Sequence, residues 1–453
     1  MPLTDGHREH RPVRHSRDGP RLVSARPWVW VVLVAVLFSA AQLTAAPGRF
    51  YPDSTQYLAQ TLDLLGVGRA AGREQTVQAF CDGYRRPRLA AHLLTGGSPQ
   101  ADRAADDCLR TLHADNRLAT GSRYGPGITV RGAAILSPRY ERIFLSRPGV
   151  AVFYAPGVAL LGPRMGMWFT TLIWTLAGSV LVFLLLRVVG VTVPLAVAGQ
   201  VLYLILPQRH WTMAPLAEGM TLTLVTLGLL GVAYTMTRRT RPGVVLMVAA
   251  FGGGLVVKYS QFLLFAAALA GTAALALVAA RRAGRPARPL LVVIAVCTAA
   301  AIVLWAVPAA LGWPGGAESM QDLATEHFRR PDVPDPALYW LRANARFWIL
   351  WVADQLRSPL MIITWAVAAW GVVRSRTVVG FAIFAALLAG FGNQAGHPTA
   401  SQGDRLILLA WLLTVYGLPL LPAAGQRPGT APPAARPRTG AAPDAAHMRQ
   451  RTG

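Results

Sequence analysis

Charge is what this chain has least of. Only 14% of its 453 residues are Asp, Glu, Lys or Arg, against about 25% in a soluble globular domain, and that shortfall excludes an ordinary water-soluble fold. Acids are the scarcer sign, 21 against 44 basic residues, for a formal net charge of +23. Such an excess invites a nucleic-acid reading. The arginines, however, lie in loops and tails flanking apolar runs rather than on one soluble domain, so no nucleic-acid partner is expected. Three cysteines exclude a disulfide scaffold. Cys81 and Cys108 share one loop assigned to the outside, where a bridge can persist, and Cys297 sits in an apolar run as a small hydrophobe. The sequence has no phosphate-cradling nucleotide loop, zinc cluster or ATPase motif. It also lacks the matching halves of a repeat-built transporter.

What is present is apolar sequence in runs of spanning length. Hydrophobic residues make up 53% of the chain, gathered between short basic or Pro/Gly clusters. A crossing needs about 20 apolar residues to satisfy its backbone within hydrocarbon. The pattern predicts an all-α polytopic membrane protein with about ten crossings: 28–46, 165–187, 190–206, 213–235, 243–258, 261–280, 290–309, 355–373, 377–391 and 405–422. The first run follows a long polar leader and reads as an uncleaved helix rather than a signal peptide.

Basic residues near the ends of the runs set the orientation. Arg187, the Arg238/Arg239/Arg241 and Arg281/Arg282/Arg285/Arg288 clusters, and Arg374/Arg376 fall on one side, read as cytoplasmic, together with both tails. The loop 47–147, residues 207–212, 312–354 and 391–404 fall on the other. Three regions follow: a disordered basic tail over 1–27, a membrane domain over 28–422, and a disordered Pro/Arg-rich tail over 423–453. The outer loop 47–147 holds nine acids and two cysteines, with short helices expected at 73–93 and 101–118. In SRPGVAVFYAPGVALLGP, residues 146–163, prolines interrupt an apolar stretch, which reads as an interfacial or re-entrant helix.

The remaining signal is a handful of polar residues set where a bilayer penalises them. Asp53 stands just past the first run, in FYPDSTQYLAQTLDLLG, at the head of an amphipathic pattern through Tyr57, Leu58, Leu62 and Leu65. It reads either as a helix cap or as a carboxylate able to deprotonate an acceptor hydroxyl. Glu218 lies near the outer end of an apolar helix, after Gln208, Arg209 and His210, and is either paired structurally or functional. Lys258 ends GGGLVVKYSQF, just before Tyr259, Ser260 and Gln261. It either snorkels to the interface or meets a lipid phosphate. Arg405 follows GHPTASQGD, so that His397, Asp404 and Arg405 cluster at an outer mouth. An Asp404–Arg405 surface pair and phosphate recognition are both open. Tyr140 and Arg147 are weaker candidates for the same vestibule.

These segments together resemble the GT-C glycosyltransferases, the multi-spanning class that includes protein O-mannosyltransferases and bacterial lipid A arabinosyltransferases. The acid soon after the first helix, SRPGVAVFYAPGVALLGP, APLAEGMTLTL, FGGGLVVKYSQFLLFA and GDRLILLAWLL carry the resemblance, which spans about residues 28–422. It implies a GT-C-like bundle with interfacial helices and a large first extracytoplasmic loop. The implied activity transfers a sugar, with inversion, from a polyprenyl-phosphate donor to an extracytoplasmic glycan, lipid or protein acceptor. Asp53 would be the general base. Tyr57, Arg147, His210, Glu218, Lys258, Gln261, His397 and Arg405 would bind substrate. Ser54 stands beside Asp53 where many members carry a second acid, and no DxD occurs, so no motif supports a divalent metal. A transporter or flippase, and an inactive scaffold for envelope assembly, are the rival readings.

Overall fold

The computed structural model describes residues 27–44, 50–83, 103, 105–111, 138–399 and 403–423. The two expected tails and most of the loop between 84 and 137 lie outside these residues. Among the described residues every regular element is helical. Four helices are long and apolar enough to cross a membrane: Pro148–Val188, Glu218–Met236, Thr240–Arg282 and Arg288–Ala310. A fifth candidate is the pair Pro336–Arg357 and Leu360–Ser375, bent by 88°. Pro27–Leu43, Val193–Ile205, Gly380–Gly396 and Leu408–Ala423 are shorter apolar helices. The chain is therefore an all-α multi-pass membrane protein.

Two of the long helices are not rods. Helical dihedrals fail at Gly162 (φ 78°, ψ 172°) in the first and at Lys258 (φ −163°, ψ 64°) in the third. The rings of Phe153 and Trp174 are 4.9 Å apart, yet a straight helix would separate residues 21 positions apart by about 31 Å. Likewise Phe251 and Phe265 lie 5.9 Å apart where a rod would give about 21 Å. Each helix thus reverses into a hairpin. Gly162 supplies the left-handed backbone that the first reversal needs. The legs then close on glycine: a Cβ on Gly157 would sit 2.6 Å from the Gly166 carbonyl oxygen. The interruption predicted in 146–163 consequently falls at Gly162, and Pro156 is accommodated within the first leg.

Glu218–Met236 is the centre of the bundle, with 83% of its apolar window buried against 22% for Arg288–Ala310. Both hairpins pack against it. The outer helices turn apolar residues outward, including Leu275, Trp305, Ile349, Leu356 and Leu360, as lipid-facing surfaces do. Helix Pro52–Leu64 lies on the first hairpin. Residues 312–354 form more than a connecting loop, since helices Gly316–Ala324 and Pro336–Arg357 occupy much of the stretch. Helix Arg69–Asp82 and helical residues 105–111 match the two short helices expected in the outer loop, and a disulfide joins Cys81 to Cys108.

Candidate functional site

Four distant pieces of chain meet where the polar residues of the membrane domain converge. Asp53 enters in the first turn of helix Pro52–Leu64. It does not cap that helix: the N-cap is the extended residue Tyr51, whose N–H donates to Ser54 Oγ at 3.1 Å. Proline at the first helical position fixes the entry angle, leaving the Asp53 carboxylate to reach elsewhere. Glu218 is the first residue of the central helix, an end where the macrodipole favours negative charge. Lys258 occupies the reversal of the second hairpin. Arg405 sits in the short helix Gly403–Leu406, which Asn393 anchors by donating to the Leu406 carbonyl at 2.8 Å.

Arg405 joins the two acids. Its Nη2 donates to Asp53 Oδ2 at 2.5 Å and its Nε to Glu218 Oε1 at 2.6 Å. Lys258 Nζ donates to the same Glu218 oxygen at 3.2 Å. Two acids and two bases balance in charge, which is what makes a buried group of this kind tenable. Lys258 is buried and paired, so snorkelling does not account for it. Arg405 pairs with acids 352 and 187 positions away. The side chain of Asp404 lies outside the described residues. Glu218 Oε2 is buried with no hydrogen-bond partner, an acceptor left open inside the group.

Other expected residues flank this quartet. Arg147 donates to the buried Tyr57 hydroxyl at 2.8 Å, and burial raises the Tyr57 phenol, keeping it neutral. Gln261, one turn beyond Lys258, is buried with Oε1 unpartnered. His210 is exposed and hydrogen-bonds the Tyr51 hydroxyl at 2.7 Å. It touches the entry to helix Pro52–Leu64 rather than the charged group. His397 stacks on His327, ring centres 6.3 Å apart and nearly parallel.

His327 and Asp322 were not visible as candidates in the sequence, because neither lies in an apolar run. A different signal was there for Lys258, which is the only lysine in the chain. Every other fixed cation is an arginine, so the compact ammonium is confined to this one buried position. Among the described residues no group of three or more His, Cys, Asp and Glu is placed to hold a metal. The chain matches no protein-family model, no curated protein and no solved structure.

Proposed function

We propose that the chain is an integral-membrane glycosyltransferase of GT-C type. It moves a sugar from a polyprenyl-phosphate donor to an extracytoplasmic acceptor, with inversion and with Asp53 as general base. The observation that supports this reading best is the Asp53–Arg405 pair: an acid just past the first apolar helix is held by a cation from the start of the last. Lys258 and Glu218 complete the group.

In this reading the donor phosphate competes with Asp53 for Arg405. Its arrival frees the carboxylate beside the reacting carbon. The acceptor O–H bond then breaks toward Asp53 as its oxygen attacks the anomeric carbon. The bond from that carbon to phosphate breaks on the opposite face, and the lipid phosphate leaves with the electron pair. Arg405 and Lys258 stabilise the charge where it grows. Lys258 serves as a point charge and Arg405 as a two-pronged donor.

The membrane arrangement proposed with it has ten crossings, over 27–44, 163–188, 193–205, 218–236, 240–257, 259–282, 288–310, 360–375, 380–396 and 408–423. Both termini are cytoplasmic and the site faces the outer leaflet. Helices 52–64 and 148–161 guide the lipid chain at that interface.

Asp53→Asn tests the base. Donor turnover is expected to fall by about 10² to 10⁴, with the variant still inserted in the membrane and folded, though less stable because Arg405 loses one of its two partners. Full retained turnover rejects Asp53 as the base. The pairing of Asp53 with Arg405 also suits an inactive scaffold in which the quartet only locks helices together. That reading predicts the same stability loss in the variant but no turnover in the wild type.

A further inference from the structure

A second set of ionisable groups is joined to helix Pro52–Leu64 through ring contacts, His327 on Tyr140, Tyr140 on Phe144 and Phe144 on Tyr57, and has no part in the transfer step as drawn. Residues 326–328 carry φ of 53°, 65° and 58° without a glycine among them. Three successive left-handed residues cost about 1–2 kcal/mol each, and strain of this kind collects at functional sites. Here it holds His327 against Tyr140, ring centres 4.6 Å apart, and parallel to His397. His327 Nδ1 lies 3.0 Å from Asp322 Oδ1. A carboxylate only accepts, so Nδ1 is the donor, and Nε2 is left as the working nitrogen. The Asp322 side chain is 8% exposed and that of His327 is 35% exposed. The pair therefore runs from the protein interior toward water.

The groups facing the imidazole agree with that direction. Burial opposes charge on His327, but contact with Asp322 outweighs it and, with Asp53 adding and Arg329 opposing, the imidazole is raised. His397, lowered by burial, stays neutral beside it. Tyr140 is raised by burial and by Asp53 and Asp322, and stays protonated. One titrating base thus stands within electrostatic reach of the carboxylate that the transfer leaves protonated.

We propose that His327 and Asp322 form a second acid–base pair of this site. His327 Nε2 receives, through water, the proton that Asp53 takes from the acceptor, and releases it to the bulk. Asp322 is the positioning residue that fixes the ring and its tautomer. This rests on the transferase reading and adds the return of Asp53 to its ionised form. The balance is simple: one proton leaves the acceptor hydroxyl, passes Asp53 and His327 in turn, and ends on water, while the lipid phosphate keeps the electrons of the broken bond.

Two measurements test it on the full chain in lipid nanodiscs. The first follows the histidine ring nitrogens by NMR across pH. The expected result is an Nδ1–H tautomer for His327 that titrates above its ordinary value and moves down in both Asp322→Asn and Asp53→Asn. An unshifted ring that ignores Asp53 overturns the pair whatever the protein's activity. The second measures release of decaprenyl phosphate from decaprenyl-phosphate-linked mannose and arabinose, with water as acceptor. His327→Gln is expected to slow release about tenfold near neutral pH, to lose the neutral limb of the pH profile, and to regain rate with added imidazole. Asp322→Asn, which keeps the ring, is expected to move that limb to lower pH. An active wild type with an unchanged profile in both variants overturns the pair and leaves the transfer reading intact. A wild type inactive on both donors counts against the transfer reading, and the role given to His327 in it falls too.

Discussion

Two arginines in this protein each clasp two carboxylates, and they differ chiefly in access to water. Arg139 donates to Glu318 at 2.8 Å and to Asp332 at 2.7 Å, with side chains between 26% and 52% exposed. Arg405 donates to Glu218 and Asp53, with side chains between 1% and 17% exposed. The first network ties helix Pro138–Leu145 to the segment 316–335 and remains partly exposed. The second has given up most of its water, which costs several kcal/mol per ion and leaves the charges dependent on one another. Arg139 grips Glu318 with two parallel bonds and Arg405 makes one bond to each acid, yet it is burial that sets the consequences apart. A hydrated clasp can be lost cheaply, whereas a dry one resists change until something of matching charge replaces a partner. A lipid phosphate would be such a replacement.

The comparison is broken most easily at Arg405. Arg405→Met leaves Glu218 paired with Lys258 but leaves Asp53 without its partner. The expected loss is about 3–5 kcal/mol, read as a lowered melting temperature in detergent. Adding Asp53→Asn removes the unpaired charge, leaves Glu218 with Lys258, and should recover part of that loss. If Arg405→Met costs no more than the corresponding change at Arg139, burial is not what separates the two clasps.

The buried clasp was the more legible of the two in the sequence, for a physical reason. A charge inside an apolar run or at its edge is expensive enough to be conspicuous, and Asp53, Glu218, Lys258 and Arg405 all stand out that way. The pairing among them was not readable, because it joins residues up to 352 positions apart and no local pattern encodes it. The helical stretches were legible from their apolar length, but their reversals were less so. Gly162 and Lys258 turn the chain within a single residue, and Pro156, a better breaker on paper, does not. His210 looked equivalent to His397 from its neighbours, yet it faces outward against Tyr51. His327 gave no warning, since its placement depends on a left-handed turn without glycine.

A covalent tie in the loop between the first two apolar helices should come next in size. Cys81 and Cys108 are 27 positions apart, and closing a loop of that length restricts the unfolded segment by about 3–4 kcal/mol on chain-entropy grounds. Cys81→Ser is expected to lower hydrogen-exchange protection across helix Arg69–Asp82. The melting temperature of the membrane helices should hardly change, because that helix packs mainly on Pro52–Leu64 at the edge of the bundle. A fall in the melting of the whole bundle would mean that this loop and the membrane domain unfold as one unit.

The hydrated clasp should yield the smallest effect, and a pH-dependent one. Arg139→Ala removes two partly exposed ion pairs and a guanidinium 4.3 Å from the centre of the Phe328 ring, together about 1 kcal/mol. Arg139 holds the Glu318 carboxyl below its ordinary value. A carboxyl lowered in the folded state contributes stability above its unfolded pKa and loses it as pH falls through the folded value. The difference between wild type and Arg139→Ala, read as amide exchange over residues 316–335, should therefore be full near pH 7 and shrink as the solution is acidified below about 4.5. Phe328 also closes the left-handed turn that carries His327, so the same substitution should loosen that ring and broaden its NMR titration. A variant that loses segment protection equally at all pH values would assign the clasp's contribution to the arginine's contact with Phe328 rather than to its charge.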